Sequence, residues 1–383
     1  MATMPVMADA FKNLINPATV AAMAQHLGRV SAHFDHDAFV ARALPDLDGL
    51  EFKARAMQLA DALEQALPAD FSLASQALVN ALGPPGQGDD LSGLRTGDQG
   101  LAGWALWPMG EFIARHGLAD PARGLQALHA MTQRFSAEFA IRPFILAHPQ
   151  LTFETLARWV HDPSAHVRRL VSEGSRPRLP WGLQLKPLIA DPSPTLALLA
   201  ALQDDPSAYV RRSVANHLND IAKDHPARVA EWLQRHLPDA SDNRRALLRH
   251  ASRTLIKQGD AAVLTAWGLG AELHGQAALR IGPARIRLGE AVELSLTLRS
   301  TAAAAQALVV DYVVHHVKAG GSTSPKVFKG WRVQLAAGEQ RLLSRRHKVT
   351  PITTRTYHAG WHRVQAQVNG RVVAEAGFEL GVD

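Results

Sequence analysis

The chain has 383 residues and no cysteine. Disulfides and thiolate metal sites are therefore excluded, and a reducing cytoplasm is the expected compartment. Aromatic residues are scarce, at 6%. There is no apolar run of about 18 residues or more, so no membrane span is expected. The start, MATMPVMADAFKNLINPATV, lacks a basic segment followed by an apolar core and predicts no signal peptide. GxxxxGK[ST], GxGxxG after a strand and HExxH are missing too, which removes the common phosphate-loop, dinucleotide and zinc-hydrolase signatures. His315 and His316 fall in a predicted strand and point to opposite faces, with no third ligand in view, so no zinc site is expected there.

What is present is 47% hydrophobic and 20% charged, a globular, Ala/Leu-rich and helix-leaning composition. Lys and Arg number 41 against 35 Asp and Glu, a formal charge of +6 that suits a polyanionic partner. The length allows two ordinary domains. From about residue 8 to 265 the apolar spacing is helical, as in EFKARAMQLADALEQAL. GPPGQGDDLSGLRTGDQG, 83–100, reads as a loop. After about residue 273 the period becomes two, as in ARIRLGEAVELSLTLRS and LVVDYVVHHV, and Asn369-Gly370 is a hairpin signal. The expected architecture is mainly α: a HEAT-like helical solenoid over 1–270, then an all-β, immunoglobulin-like sandwich over 273–383.

The helical part repeats itself. HDPSAHVRRLVSEGS (161–175) aligns with DDPSAYVRRSVANHL (204–218), a shift of 43 residues, and more weakly with PDASDNRRALLRHAS (238–252). Stacked repeats of this size build a solenoid with a concave face. The pairs Arg168-Arg169, Arg211-Arg212 and Arg244-Arg245 recur at equivalent places, and rows of arginine suit a phosphate backbone. The alternative is plain ion pairing with Asp162 and Asp205 of neighbouring repeats.

One acid stands out. In VRRLVSEGSRPRLPWG, Glu173 lies four residues after Arg169, and Pro177 ends the helix at or before Arg176. Glu173 thus occupies a last helical turn, where the dipole disfavours an anion. The equivalent position one repeat later is Asn216, so the acid belongs to one repeat and not to the framework. Its removal is expected to leave folding undisturbed. Glu138, four after Arg134, and Asp220, one turn beyond Asn216, read either as solvated helix residues or as further carboxylates in the same basic groove. Arg176 and Arg178 flank the break and, with Asn216, are expected to join the arginine pairs in binding DNA, and Trp181 on the proline-rigid loop is placed either to stack on a base or to pack in the core. In the β part, VKAGGSTSPKVFKGWR (317–332) reads as a basic, glycine-rich loop, with Lys326 and Lys329 as further phosphate ligands.

AIRPFI, VRRLVSEGSRPRLPWG, YVRRSVANHLNDIAKDHP and the closing β domain resemble the AlkC family of bacterial DNA alkylation-repair glycosylases. The likeness runs from about residue 100 to the end. It implies a monofunctional glycosylase that removes cationic alkylated bases such as N3-methyladenine and N3-methylcytosine from double-stranded DNA, with no metal, no other cofactor and no lyase step. It assigns the lesion site to Glu138, Glu173 and Asp220, with Trp181 beside them. A monomer is expected. The rival reading is a HEAT scaffold that holds nucleic acid or protein without chemistry.

Overall fold

A computed structural model of the chain describes residues 11–269, 272–352 and 355–382. Residues 1–10, part of the segment read for a leader, and residues 270 and 271, at the expected domain boundary, lie outside that range. The chain forms two compact units, 1–224 and 225–383.

The first unit is helical. Its N-terminal part holds α1 (Pro17–Val30), α2 (His36–Ala43), α3 (Phe52–Ala66), α4 (Phe71–Asn80) and α5 (Leu106–His116). Asn16, Asp35 and Asp70 cap α1, α2 and α4 through their side-chain oxygens, each accepting from a backbone N–H of the first turn. Then come α6 (Pro121–Thr132), α7 (Arg142–Ala147), α8 (Pro149–Trp159), α9 (Ala165–Gly174), α10 (Lys186–Ala190), α11 (Ser193–Leu202) and α12 (Ala208–Asp224). Helix α9 packs against α6, α8, α11 and α12 through Val167, Leu170 and Val171, all fully buried. The segment 83–100 is largely loop, as its glycines and prolines predict.

The internal repeat has a structural cause. Asp162 and Asp205 each accept a hydrogen bond from the backbone N–H two residues on, of Ser164 and Ser207. The first arginine of each pair then reaches back over its own helix start: Arg168 donates to the carbonyls of Asp162 and Pro163, and Arg211 to those of Asp205 and Pro206. These contacts fix the entry angle of α9 and of α12.

The second unit begins with α13 (Pro226–His236), α14 (Asp242–Ala251), α15 (Arg253–Gln258) and α16 (Ala261–Ala266). The switch of period seen in the sequence falls between α16 and β1 (Gly275–Gly282). After β1 follow β2 (Arg285–Arg287), β3 (Ala291–Ser300), β4 (Gln306–Val317), β5 (Thr323–Leu335), β6 (Gln340–Lys348), β7 (Gly360–Val368) and β8 (Arg371–Gly381). They form a three-stranded sheet, β1-β3-β6, and a five-stranded sheet, β2-β8-β7-β4-β5. Alternate residues of β3, β4 and β7 fill the space between them, with Leu294, Leu296, Val310, Val314 and Val364 near zero exposure. Asn369 and Gly370 join β7 to β8 with φ of 51° and 82°, both left-handed, as a tight primed turn requires. A Cβ on Gly370 would strike the Gly259 backbone at 2.2 Å, so only glycine fits.

Candidate active site

Three segments of the first unit bring their carboxylates together. Glu173 comes from the last turn of α9, Asp220 from near the C-terminal end of α12, and Glu138 from the turn between α6 and α7. Glu138 is thus not a helix residue, and Arg134 is not its partner: that guanidinium donates to the carbonyls of Gly83 and Ala130. Ser136 and Arg169 hold the Glu138 carboxylate instead. The Ser136 hydroxyl donates to its Oε2 at 2.7 Å.

The acids alternate with cations. Arg169 Nη1 lies 2.5 Å from Glu138 Oε2, and its Nη2 lies 3.7 Å from Glu173 Oε1. Arg176 Nη1 donates to the same Glu173 oxygen at 2.6 Å, and its Nε to Asp220 Oδ2 at 2.8 Å. Lys223 Nζ closes the row on Asp220 Oδ1 at 2.8 Å. The Ser213 hydroxyl donates to Glu173 Oε2 at 2.6 Å. Burial alone would raise the Glu173 carboxyl, but Arg169 and Arg176, with the Ser213 hydroxyl, hold it below the usual carboxylate range. Glu173 is only 6% exposed and Asp220 2%. The ionised carboxylate of Glu173 is therefore desolvated and kept charged by its neighbours.

This burial corrects one expectation. Glu173 is not a dispensable helix-end anion; it is one partner of a buried ionic network, whose removal leaves cations under-compensated. The sequence also concealed several supporting groups. Ser213 stands where the preceding repeat has the fully buried Leu170, a polar residue at an apolar repeat position and so a detectable signal. Tyr209 lies with its ring 5.1 Å beneath the Arg169 guanidinium. His217, fully buried between α9 and α12, donates from Nδ1 to the Ser172 carbonyl, and burial presses its pKa down to about 4. Fully buried Arg142 left no trace in period or charge pattern.

The remaining expected residues divide into two groups. Arg168 spends its guanidinium on Asp205 at 2.6 and 3.0 Å, the inter-repeat pairing the sequence offered as an alternative. Arg178 does the same with Asp224 at 2.7 and 2.8 Å. Arg212 and Trp181 are exposed, Trp181 at 66%, on a loop where its φ of 63° is left-handed. Asn216 is half-buried on α12. In the second unit, Arg244 is half-buried and Arg245 exposed on α14. Lys326 and Lys329 lie exposed on β5, because the segment read as a loop is strand from Thr323 onward.

The second unit carries a further basic surface. Two adjoining clefts of 540 and 490 Å³ run between α14–α15 and strands β4–β5, sharing Arg249 and Arg332. Arg245, Arg249, Arg253 and Lys257 occur at four-residue intervals on one wall, facing Lys329 and Arg332 on the other. Asp242 and Asp311 are the acids in the lining. Burial and the facing Arg332 press the Arg249 guanidinium below its ordinary pKa, a crowding of like charge that an anion relieves. Among the described residues no group of three or more His, Asp or Glu side chains is placed to hold a metal ion, and no helix is long and apolar enough to cross a membrane.

Comparison with known proteins places this architecture. A family model described as "DNA alkylation repair enzyme" matches residues 133–255, and one described as "Uncharacterised protein YhaZ, C-terminal Ig-like domain" matches 276–382. The chain is 33% identical to "Uncharacterized protein YhaZ" of Bacillus subtilis (strain 168), over 98% of this chain and all of that protein. It is similar to the solved structure of Pseudomonas fluorescens alkylpurine DNA glycosylase AlkC bound to DNA containing an abasic site analogue. That likeness has a TM-score of 0.86 and 37% identity, over 97% of this chain and all of that one. The match spans the acid-bearing helices and the β-sandwich alike, and the chain belongs to the AlkC family of DNA alkylation repair proteins.

Proposed function

We propose that this protein is a monofunctional DNA glycosylase that hydrolyses the N-glycosidic bond of cationic alkylated bases, N3-methyladenine and N3-methylcytosine, in double-stranded DNA. The observation that carries this reading is the convergence of Glu138, Glu173 and Asp220, from three separate segments, in one chain of carboxylates and guanidiniums. The likeness to an alkylpurine glycosylase supports it.

A base methylated on N3 already carries positive charge and leaves readily. The protein needs no strong acid. It has to stabilise cationic character shared between base and sugar as the bond breaks, and to orient the attacking water. Ionised, desolvated carboxylates do both, as in glycoside hydrolysis. Glu173 is suited to face the developing oxocarbenium because its neighbours keep it charged. Asp220 and Glu138 extend the negative field on either side. Trp181 offers an exposed ring for stacking on a base or sugar. No cofactor takes part in this scheme, and the protein acts as a monomer in the cytoplasm.

Phosphate binding falls to Arg212 in the first unit, and in the second to Arg245, Lys326, Lys329 and the clefts' Arg249 and Arg332. Arg168 and Arg178, committed to Asp205 and Asp224, hold the repeats in place. The test is direct. Incubated with DNA methylated to carry N3-methyladenine or N3-methylcytosine, the protein releases free methylated base and leaves abasic sites without strand cleavage. DNA that is bound but yields no free base would point to the scaffold reading.

A further inference from the structure

Arg142 is fully buried at the start of α7, yet it donates only to backbone oxygens in the contacts that define its place. Its Nη1 donates to the carbonyl of Gly174 at 2.9 Å, its Nη2 to that of Pro177 at 3.5 Å, and its Nε to that of Leu183. Gly174 is the residue after Glu173 and ends α9. Pro177 and Leu183 bracket the loop that carries Trp181. The loop's ends also meet through the Leu185 N–H, which donates to the Pro177 carbonyl at 3.1 Å. One planar guanidinium thus ties a helix C-terminus and both arms of a loop to a third segment. The Ile141 side chain packs beside it against Gly174, where an added Cβ would meet it at 2.5 Å, so the α9 terminus is closely packed on this segment.

The geometry points to Arg142 as the positioning residue that fixes the Trp181 loop relative to Glu173, so that the stacking ring and the carboxylate act on one substrate as a unit. This rests on the glycosylase reading for its kinetic consequence, but not for its structural one. A buried cation satisfied by three carbonyls is costly to place, and lysine cannot replace it: a point charge on a single nitrogen does not span the fork. Misplacement of a positioned group by about 1 Å costs on the order of 10²-fold in rate.

The test uses Arg142→Lys and Arg142→Met in the full chain. Trypsin does not cut before proline, so Arg176 and Lys186 are protected by Pro177 and Pro187, and Arg178–Leu179 is the cleavable bond inside the loop. Both variants are expected to gain that cut under native conditions, while the wild type resists it. Single-turnover excision of N3-methyladenine should fall by about 10²-fold with DNA affinity unchanged. The Trp181→Ala substitution should slow the wild type but have little further effect in either Arg142 variant, because the ring is already displaced. Folded variants that resist trypsin at Arg178, or in which Trp181→Ala costs as much as in the wild type, would overturn the proposal. If neither variant folds, amide exchange in the wild type decides. The Gly182 and Leu185 N–H groups, bonded to Leu179 and Pro177, should exchange as slowly as the last turn of α9, and exchange at the rate of an open loop refutes the clamp. A wild type that releases no methylated base would sink the glycosylase reading, yet the trypsin and exchange results would still stand or fall by themselves.

Discussion

Glu173→Gln is the substitution that separates chemistry from architecture. It keeps the shape and one carbonyl oxygen but removes a charge that Arg176 and Ser213 approach at 2.6 Å each and Arg169 at 3.7 Å. Breaking a buried ion pair outright costs about 3–5 kcal/mol. Here each guanidinium keeps a second carboxylate, Arg169 on Glu138 and Arg176 on Asp220, and the amide oxygen still accepts. A destabilisation of about 1–3 kcal/mol is therefore expected, the cost typical of a compromised buried charged hydrogen bond. The sign with pH follows from the Glu173 carboxyl, which the arginines hold below its ordinary value. Its contribution is present above the unfolded pKa of about 4.3 and is lost as pH falls through the folded one. The melting temperatures of wild type and variant should thus differ at pH 7 and begin to converge only as pH falls below about 4.3. Single-turnover excision, measured well below both melting points with enzyme in excess, should slow by about 10²-fold, roughly 2.7 kcal/mol of barrier. Binding to methylated DNA should hold or tighten, since the substitution removes one negative charge. A folded Glu173→Gln protein that excises at the wild-type rate would show that Glu173 only holds its arginines, and the chemistry would move to Glu138 or Asp220.

Three further outcomes are expected. DNA affinity should fall with salt along a log–log slope of about −4 to −7, the value for roughly four to eight phosphate contacts, and Arg249→Glu with Arg332→Glu should flatten it; a slope near zero in fluorescence anisotropy removes the groove from DNA binding. Trp181→Ala should leave the melting temperature unchanged, because the ring is 66% exposed, but should weaken engagement of the lesion by about 1–3 kcal/mol; an unaltered excision rate and affinity excludes stacking. Buried His316 and His347 have pKa values pressed by burial to about 3 and about 4, so the folded state binds fewer protons than the unfolded one. Stability of the β-sandwich should be full above about pH 6.5 and decline from there toward pH 4, and a melting temperature for its near-ultraviolet signal that does not change over this interval contradicts it.

The order of helices followed by a β-sandwich was legible along the chain because local patterning dictates it, whereas the division of the chain at 224/225, which groups α13–α16 with the strands, was not. Period 3.6 up to α16 and period two from β1 onward follow from which faces must be buried, and Asn369-Gly370 has the backbone freedom its turn needs. Glu173 was legible as an anomaly, an anion in a last turn at a position where the repeat has Asn216. Its partners were only half legible. The sequence paired Glu173 with Arg169 by spacing, but at 3.7 Å that contact is weaker than the one with Arg176, which spacing cannot rank. The fate of the arginine pairs was beyond reach. Neighbouring residues on a helix point about 100° apart, so Arg168 turns to Asp205 while Arg169 turns to the acids, and only the packing of α9 on α12 decides which is which. Arg142 required tertiary structure altogether, and so did the turn setting of Glu138 and its pairing with Arg169 in place of Arg134. A turn residue and a buried guanidinium bonded to carbonyls 32 and 41 residues away have no periodicity to betray them, because their partners are assembled by the fold and not by the local chain.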